Sequence, residues 1–287
     1  MNDQSPQLQV TDLVYKYPSS KKNILNKVNL TINQGDFIAI IGQNGAGKTT
    51  LTKHFNGLHL SIDGQVLING KNTKQMKTNE IIQLVGYCYQ NPDHQLFCRT
   101  VYDEVAYGPK NLGFSQQKLK DSVMEALEVT KLAEKKDQYP FTLGRGERQR
   151  LAIASVISMG SPILIVDEPT TGLDTKGMEH IMNFLTRWNE LGHTILVVTH
   201  DIEMVAKYVP QTIVMAQGEI IANGDTRTVL NNKEVLERAF VKQPQIMRLA
   251  QDLSPIGIQK DCLTVNEMYD QIVKLTSSVE QKTKGVG

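Results

Sequence analysis

Compact apolar runs rich in β-branched residues recur along the chain at positions 37–41, 84–89, 163–166 and 194–199. None alternates with polar residues, so each reads as a strand covered on both faces. Helical spacing separates them. Between 115 and 132, Leu119, Val123, Ala126 and Leu127 recur on one face, and Ser115 is placed to cap the first turn. Further helices are expected over 48–56, 146–157, 175–188 and 201–207. Strands alternating with helices predict an α/β fold: a mostly parallel sheet with helices on both faces. Upstream, 8–15 and 28–32 read as short antiparallel strands, and 66–68, closed by Asn69-Gly70, as a third. These would form an antiparallel side layer.

After strands at 213–215 and 219–222 and an expected turn at Asn223-Gly224, the strand signal stops. Pro244 suits the first helical position ahead of Ile246, Leu249, Ala250 and Leu253, while Thr264 and Glu267 form a capping-box pattern ahead of Met268, Ile272 and Leu275. A boundary near Phe240 is therefore expected, with a body over 1–240 and a helical extension over 241–287. Val265, Met268, Ile272 and Leu275 follow a heptad-like seam, suited either to another helix or to the chain's own body.

The length of 287 residues suits one large α/β domain with an appendage or two modest domains. Thirty-one Lys+Arg against 30 Asp+Glu leaves a formal charge of +1, so no basic field invites nucleic acid. Cys88, Cys98 and Cys262 lack CxxC spacing and read as reduced thiols rather than a disulfide framework or zinc site. The first ten residues carry no signal pattern, and no apolar run approaches the ~18 residues of a membrane span, so neither secretion nor a bilayer crossing is expected.

The candidate chemistry lies at strand ends. Gly42-Gln43-Asn44-Gly45-Ala46-Gly47-Lys48-Thr49, continued by Thr50, follows a strand and opens a helix, the setting a P-loop requires. Glycines let backbone N–H groups converge on phosphates, the helix N-terminus adds its dipole, Lys48 brings a point charge and Thr49 a hydroxyl for Mg²⁺. A glycine-rich turn with an exposed lysine is the plain alternative. Residues 163–166 deliver Asp167 and Glu168 to the carboxyl edge of the sheet. Asp167 would hold Mg²⁺ and Glu168 would polarise an attacking water, as phosphoryl transfer needs; alone, Asp-Glu-Pro is also an ordinary helix cap. His200 ends the 194–199 strand, within reach of a γ-phosphate, and Gln90 ends another, within reach of Mg²⁺ or the water.

The order P-loop, Gln90, Leu143-Gly144-Arg145-Gly146-Glu147, Asp167-Glu168, Gly172-Leu173-Asp174, His200 resembles ABC-type ATPases over about the first 240 residues. The resemblance implies ATP and Mg²⁺ as ligands, a helical subdomain over about 91–160, a Q-loop at Gln90, a signature at 143–147, a D-loop at Asp174 and a switch at His200. It places Tyr17 where an aromatic stacks on adenine, a role that a surface-strand tyrosine does not need. It also implies head-to-tail pairs in which the signature of one chain completes the partner's site. The family's usual Leu-Ser-Gly-Gly-Gln is changed here: Gly144 lacks the serine hydroxyl, Arg145 replaces a glycine and Glu147 a glutamine. Either the partner's site is impaired, giving an asymmetric pair of paralogues, or the variant is tolerated.

The stretch from Gln90 to Phe97, followed by Val101 to Gly113, resembles the ATPase components of energy-coupling factor importers. This implies a peripheral subunit on the cytoplasmic face of the membrane, a transmembrane T component docking near Gln90 to Phe97 on exposed Leu96 and Phe97, and indirectly a substrate-binding S component. It also implies that the C-terminal helices hold an ATPase pair together. Specificity for a vitamin or transition-metal ion would reside in the S component. A soluble ABC protein acting on nucleic acid or the ribosome, and an ATP-gated scaffold with little turnover, are the other classes; the absence of a basic excess weighs against the first, and intact Glu168 and His200 against the second.

Overall fold

The computed structural model describes residues 6–284, with side chains to 277. The chain opens with β1 (Leu8–Tyr15), β2 (Leu25–Ile32) and β3 (Phe37–Ile41), then α1 (Lys48–Phe55), β4 (Asp63–Ile68), β5 (Lys71–Asn72) and α2 (Thr78–Leu84). There follow β6 (Val85–Cys88), α3 (Val101–Asn111), α4 (Gln116–Val129), α5 (Arg145–Ile157), β7 (Ile163–Asp167), α6 (Thr175–Glu190), β8 (Thr194–Val198) and α7 (Ile202–Tyr208). The last elements are β9 (Gln211–Ala216), β10 (Glu219–Asp225), α8 (Thr226–Asn231), α9 (Lys233–Arg238), α10 (Gln245–Asp252) and α11 (Val265–Lys284).

Two sheets result. The larger runs β10-β9-β3-β8-β7-β6, parallel throughout except for β10, and the smaller is antiparallel in the order β2-β1-β4-β5. Both arrangements match the α/β expectation. Strand pleating divides each buried run between two cores. Phe37, Ala39, Ile41, Ile195 and Val197 join the helices of one core, while Ile38, Ile40, Leu196 and Val198 meet the antiparallel sheet and α1 in the other. Thr194 fastens the layers by donating to the Gln7 side chain and accepting from the Gly35 N–H at 2.8 Å.

Several local expectations change. Asn223 and Gly224 lie within β10, paired with Ile213 and Thr212; the turn is Gln217-Gly218, whose φ values of 51° and 82° suit a tight hairpin. Pro244 occupies the cap position of α10 rather than its first turn. The Thr264 hydroxyl accepts from the Glu267 N–H at 3.3 Å, but the Glu267 carboxylate turns to the Leu263 N–H and to Arg227. The expected seam on α11 divides: Met268 and Leu275 pack with Ala250, Ile258 and Cys262, whereas Val265 and Ile272 are exposed beside Tyr269 and Val273.

Helix α3 contains Pro109, which has no N–H to give the Val105 carbonyl. The Ser158 hydroxyl donates to that carbonyl instead, at 2.9 Å. Gly108 precedes it because a Cβ there would fall 2.7 Å from the Met159 side chain. The sequence pattern thus conceals a helix that tertiary contacts complete.

His54 on α1 donates through Nδ1 to the Thr50 carbonyl at 2.7 Å, and its Nε2 finds no partner among the described residues. Burial drives its pKa down to about 4, with the Thr50 bond opposing and His59 adding to the shift. The unfolded chain takes up this proton near the ordinary value of about 6.5, so stability contributed by neutral His54 falls as pH drops between the two values. Acidification from pH 7 to 5 is expected to cost roughly 2 kcal/mol through this residue. Urea unfolding of His54→Gln at both pH values should show that share of the loss removed; an unchanged difference would refute it.

Candidate functional site

The carboxyl ends of β3, β7 and β8 lie side by side, because β8 is hydrogen-bonded to both of the others. The chain leaves β3 through Gly42, Gly45 and Gly47, all at positive φ (145°, 82° and 103°). A side chain at Gly42 would collide with the Met215 carbonyl, and one at Gly47 would meet Ile24 and Leu25 at 3.0 Å. The loop therefore needs glycine both for its turns and for close approach. It delivers its N–H groups to the start of α1, as an anion cradle does.

Lys48 bends back over this loop, donating to the carbonyls of Gly42 at 2.7 Å and Gln43 at 3.1 Å. Burial lowers its pKa, and Glu168 and Asp167 counteract part of the shift. The Thr49 hydroxyl donates to Asp167 Oδ2 at 2.9 Å, and the Tyr87 hydroxyl donates to the same oxygen at 3.1 Å. Burial raises the Asp167 pKa, while these two donors and Lys48 hold it down. Tyr87 was missed by sequence reasoning. Its signal was weak: a single aromatic within a strand next to the one that ends in Asp167.

Glu168 is a non-glycine residue in the left-handed region at φ 51°, a conformation that costs on the order of 1 kcal/mol. Its N–H donates to the Val198 carbonyl at 2.8 Å, which ties the turn to β8. His200 Nδ1 donates to Glu168 Oε1 at 2.8 Å, fixing the tautomer and keeping Nε2 on the exposed side of a ring that is 65% accessible. Thr171 and Thr199 hydroxyls lie 3.3 and 3.4 Å from Oε2. Neither threonine was singled out from the sequence.

An open cleft of about 280 Å³ is lined by Asn44, Gly45, Gly47, Lys48, Thr49, Thr50, Gln90, Asp167 and Glu168, with Tyr17, Ile24 and Val198 at its sides. Tyr17 is oriented through its hydroxyl, which is 3.1 Å from Thr50 Oγ1 and 3.4 Å from His59 Nε2. Gln43 and His200 line an adjoining cleft with Gly42 and Asn44. The structure thus brings together the glycine loop, Gln90, both acids, the histidine and Tyr17.

Residues 143–147 stand apart from that cleft. Gly144 caps α5, with its N–H donating to Glu147 Oε2 at 3.2 Å, and Lys135 binds the other oxygen at 2.6 Å. The bond from the Lys135 ammonium holds the Glu147 carboxyl below the usual carboxylate range. Asp174 caps α6 by accepting from the Gly177 N–H at 2.8 Å. Leu96 corrects an expectation: it is 4% accessible, buried in the helical core because Gln95 anchors the loop to the Ala152 carbonyl and Ser155 hydroxyl. Phe97 is 61% accessible and meets Tyr107 edge-on at 4.7 Å.

The fixed oxygens of Thr49 and Asp167 are hard donors suited to Mg²⁺, and the glycine cradle with Lys48 is suited to a polyphosphate. No group of three or more His, Cys, Asp or Glu side chains forms a ready metal cluster among the described residues. No described helix is long and apolar enough to cross a membrane.

A family model described as ABC transporter matches residues 25–171. The chain is 42% identical to a protein of Caldanaerobacter subterraneus subsp. tengcongensis over 91% of its own length, but spans only 45% of that relative. It is 38% identical to the energy-coupling factor transporter ATP-binding protein EcfA of Methanosphaera stadtmanae, over 93% of this chain and 98% of the relative. Among solved structures, CbiO1 of Clostridium perfringens, part of the ABC transporter complex cbiONQ, superposes with a TM-score of 0.75 at 33% identity, covering 88% of this chain and 97% of that one.

Proposed function

Because the chain belongs to the ABC transporter family, we propose that it binds and hydrolyses ATP to power a membrane importer of the energy-coupling factor type. The observation that carries this reading is the convergence of the glycine loop, Thr49, Asp167, Glu168 and Gln90 on one cleft. The loop amides of 42–50 grip the phosphates, and Lys48 exchanges its two carbonyl partners for phosphate oxygens. Tyr17 flanks the adenine. Thr49, Asp167 and Gln90 would hold Mg²⁺, which when bound would neutralise developing phosphate charge. Glu168, steadied by His200 and Thr171, accepts a proton from the attacking water, and His200 Nε2 is available to the γ-phosphate.

A pair of cassettes would close over two nucleotides, each signature at 143–147 completing the partner's site, with Asp174 in the loop that follows the acids. The exposed strip Val265, Tyr269, Ile272 and Val273 on α11 suits contact between the two ATPase subunits. Relatives named as energy-coupling factor and cbiONQ subunits support a T component docking near Gln90 to Phe97, an S component binding a vitamin or metal ion, and a peripheral position at the cytoplasmic membrane face. The near-zero net charge gives no support to nucleic acid as a partner. Lys48→Ala should weaken Mg²⁺-dependent ATP binding at least about tenfold in equilibrium dialysis. Unchanged affinity would sink the phosphate-site assignment.

A further inference from the structure

We infer that Arg145 is a positioning residue for Glu168, acting within its own chain through Gly172 and Thr171. The inference rests on the proposed role of Glu168 in activating water. The Arg145 side chain makes no hydrogen bond or ion pair among the described residues, yet its guanidinium lies against the backbone of Gly172. A Cβ at Gly172 would fall 2.5 Å from Arg145 Cζ, 2.7 Å from Nη1 and 2.9 Å from Nε. Gly172 also sits at φ 74°, so the position requires glycine for its backbone as well as for the arginine. Beside it, Leu173 packs where a side chain on Gly146 would point, at 3.5 Å. The start of α5 thus presses on this loop at two adjacent residues.

The other end of the loop is Glu168, the proposed base. Thr171 donates its N–H to the Glu168 carbonyl at 3.3 Å and its hydroxyl to Glu168 Oε2 at 3.3 Å. His200 holds Oε1 and Thr199 approaches Oε2, but both follow directly on β8; Thr171 is the contact supplied from the loop that leads to α6. With Arg145 removed, Gly172, a residue type with the widest backbone freedom, loses the group nearest to it, so the Thr171 hydroxyl loses its fixed place on the carboxylate. The departure from a small residue at 145 is therefore a device that serves this chain's own acid. Since a planar guanidinium packs on the peptide, lysine is not an equivalent.

The test is phosphate release from saturating Mg·ATP by the complete chain with the subunits that co-purify with it. Arg145→Ala and Arg145→Lys should each lower kcat about tenfold with KM for ATP within about twofold. Gly172→Ala, which leaves the arginine present but displaced, should give the same pattern. The double variant should be no slower than either single, because both remove one contact. Wild-type kcat in Arg145→Ala, multiplied losses in the double variant, or a KM rise that accounts for the loss would overturn the inference. Glu168→Gln run in parallel separates the two readings: full turnover there defeats the role of Glu168 itself, whereas loss there with an unaffected Arg145→Ala defeats only the arginine.

Discussion

Glu168→Gln is expected to cut ATP turnover about a hundredfold or more while leaving nucleotide affinity nearly intact. The amide keeps the shape of the side chain and an acceptor oxygen for His200 Nδ1, but it cannot take a proton from water. Because β7, the Val198 carbonyl and three side-chain donors set the position of residue 168, the substitution should not disturb the turn. Single-turnover phosphate release beside ATP-binding measurements separates the effects. A parallel loss of affinity would mean that the carboxylate acts in binding. If two different ATPase subunits co-purify, matching substitutions in each test whether the altered 143–147 segment leaves the two sites unequal; equal losses would argue for equal sites.

The second large effect contrasts two neighbours. Phe97→Asp should leave folding and ATP binding unchanged while abolishing co-purification with membrane components, since its ring is exposed and touches chiefly Tyr107. Leu96→Asp should instead lose about 4 kcal/mol or more of folding stability, because it places an unpaired carboxylate in the apolar core to which Val101, Val105 and Leu151 also belong. Thermal unfolding and pull-down of each variant check both outcomes. Assembly that survives Phe97→Asp would remove this face from the docking proposal.

The contrast also marks where sequence reading works. Strands buried on both faces write themselves as unbroken apolar runs, so β3, β6, β7 and β8 were legible to within a residue or two, and the residues at their carboxyl ends followed. The glycine loop was legible because its backbone demands leave few substitutes. Leu96 was not, because a loop residue's burial depends on what Gln95 holds from α5, sixty positions away in sequence. Helix α3 was hidden by Gly108-Pro109, whose helical geometry is rescued by Ser158 and Met159 from another element. Tyr87, Thr171 and Thr199 escaped because a hydroxyl's contribution to a site is set by neighbours that only the folded chain supplies. On α11, periodicity marked the apolar positions but could not assign each to the inner or outer side of the helix.

Arg148 reaches two places at once. Its Nε bonds to Asp93 Oδ1 at 2.8 Å in the loop that begins at Gln90, and its Nη1 bonds to the Leu143 carbonyl at 2.6 Å, just ahead of α5. Both bonds are charge-assisted, and the arginine side chain is only 20% accessible. A force applied to the Asp93 segment from outside is consequently passed to residue 143 without travelling along the intervening fifty residues of chain, and tension at either end must first strip one guanidinium of a partner.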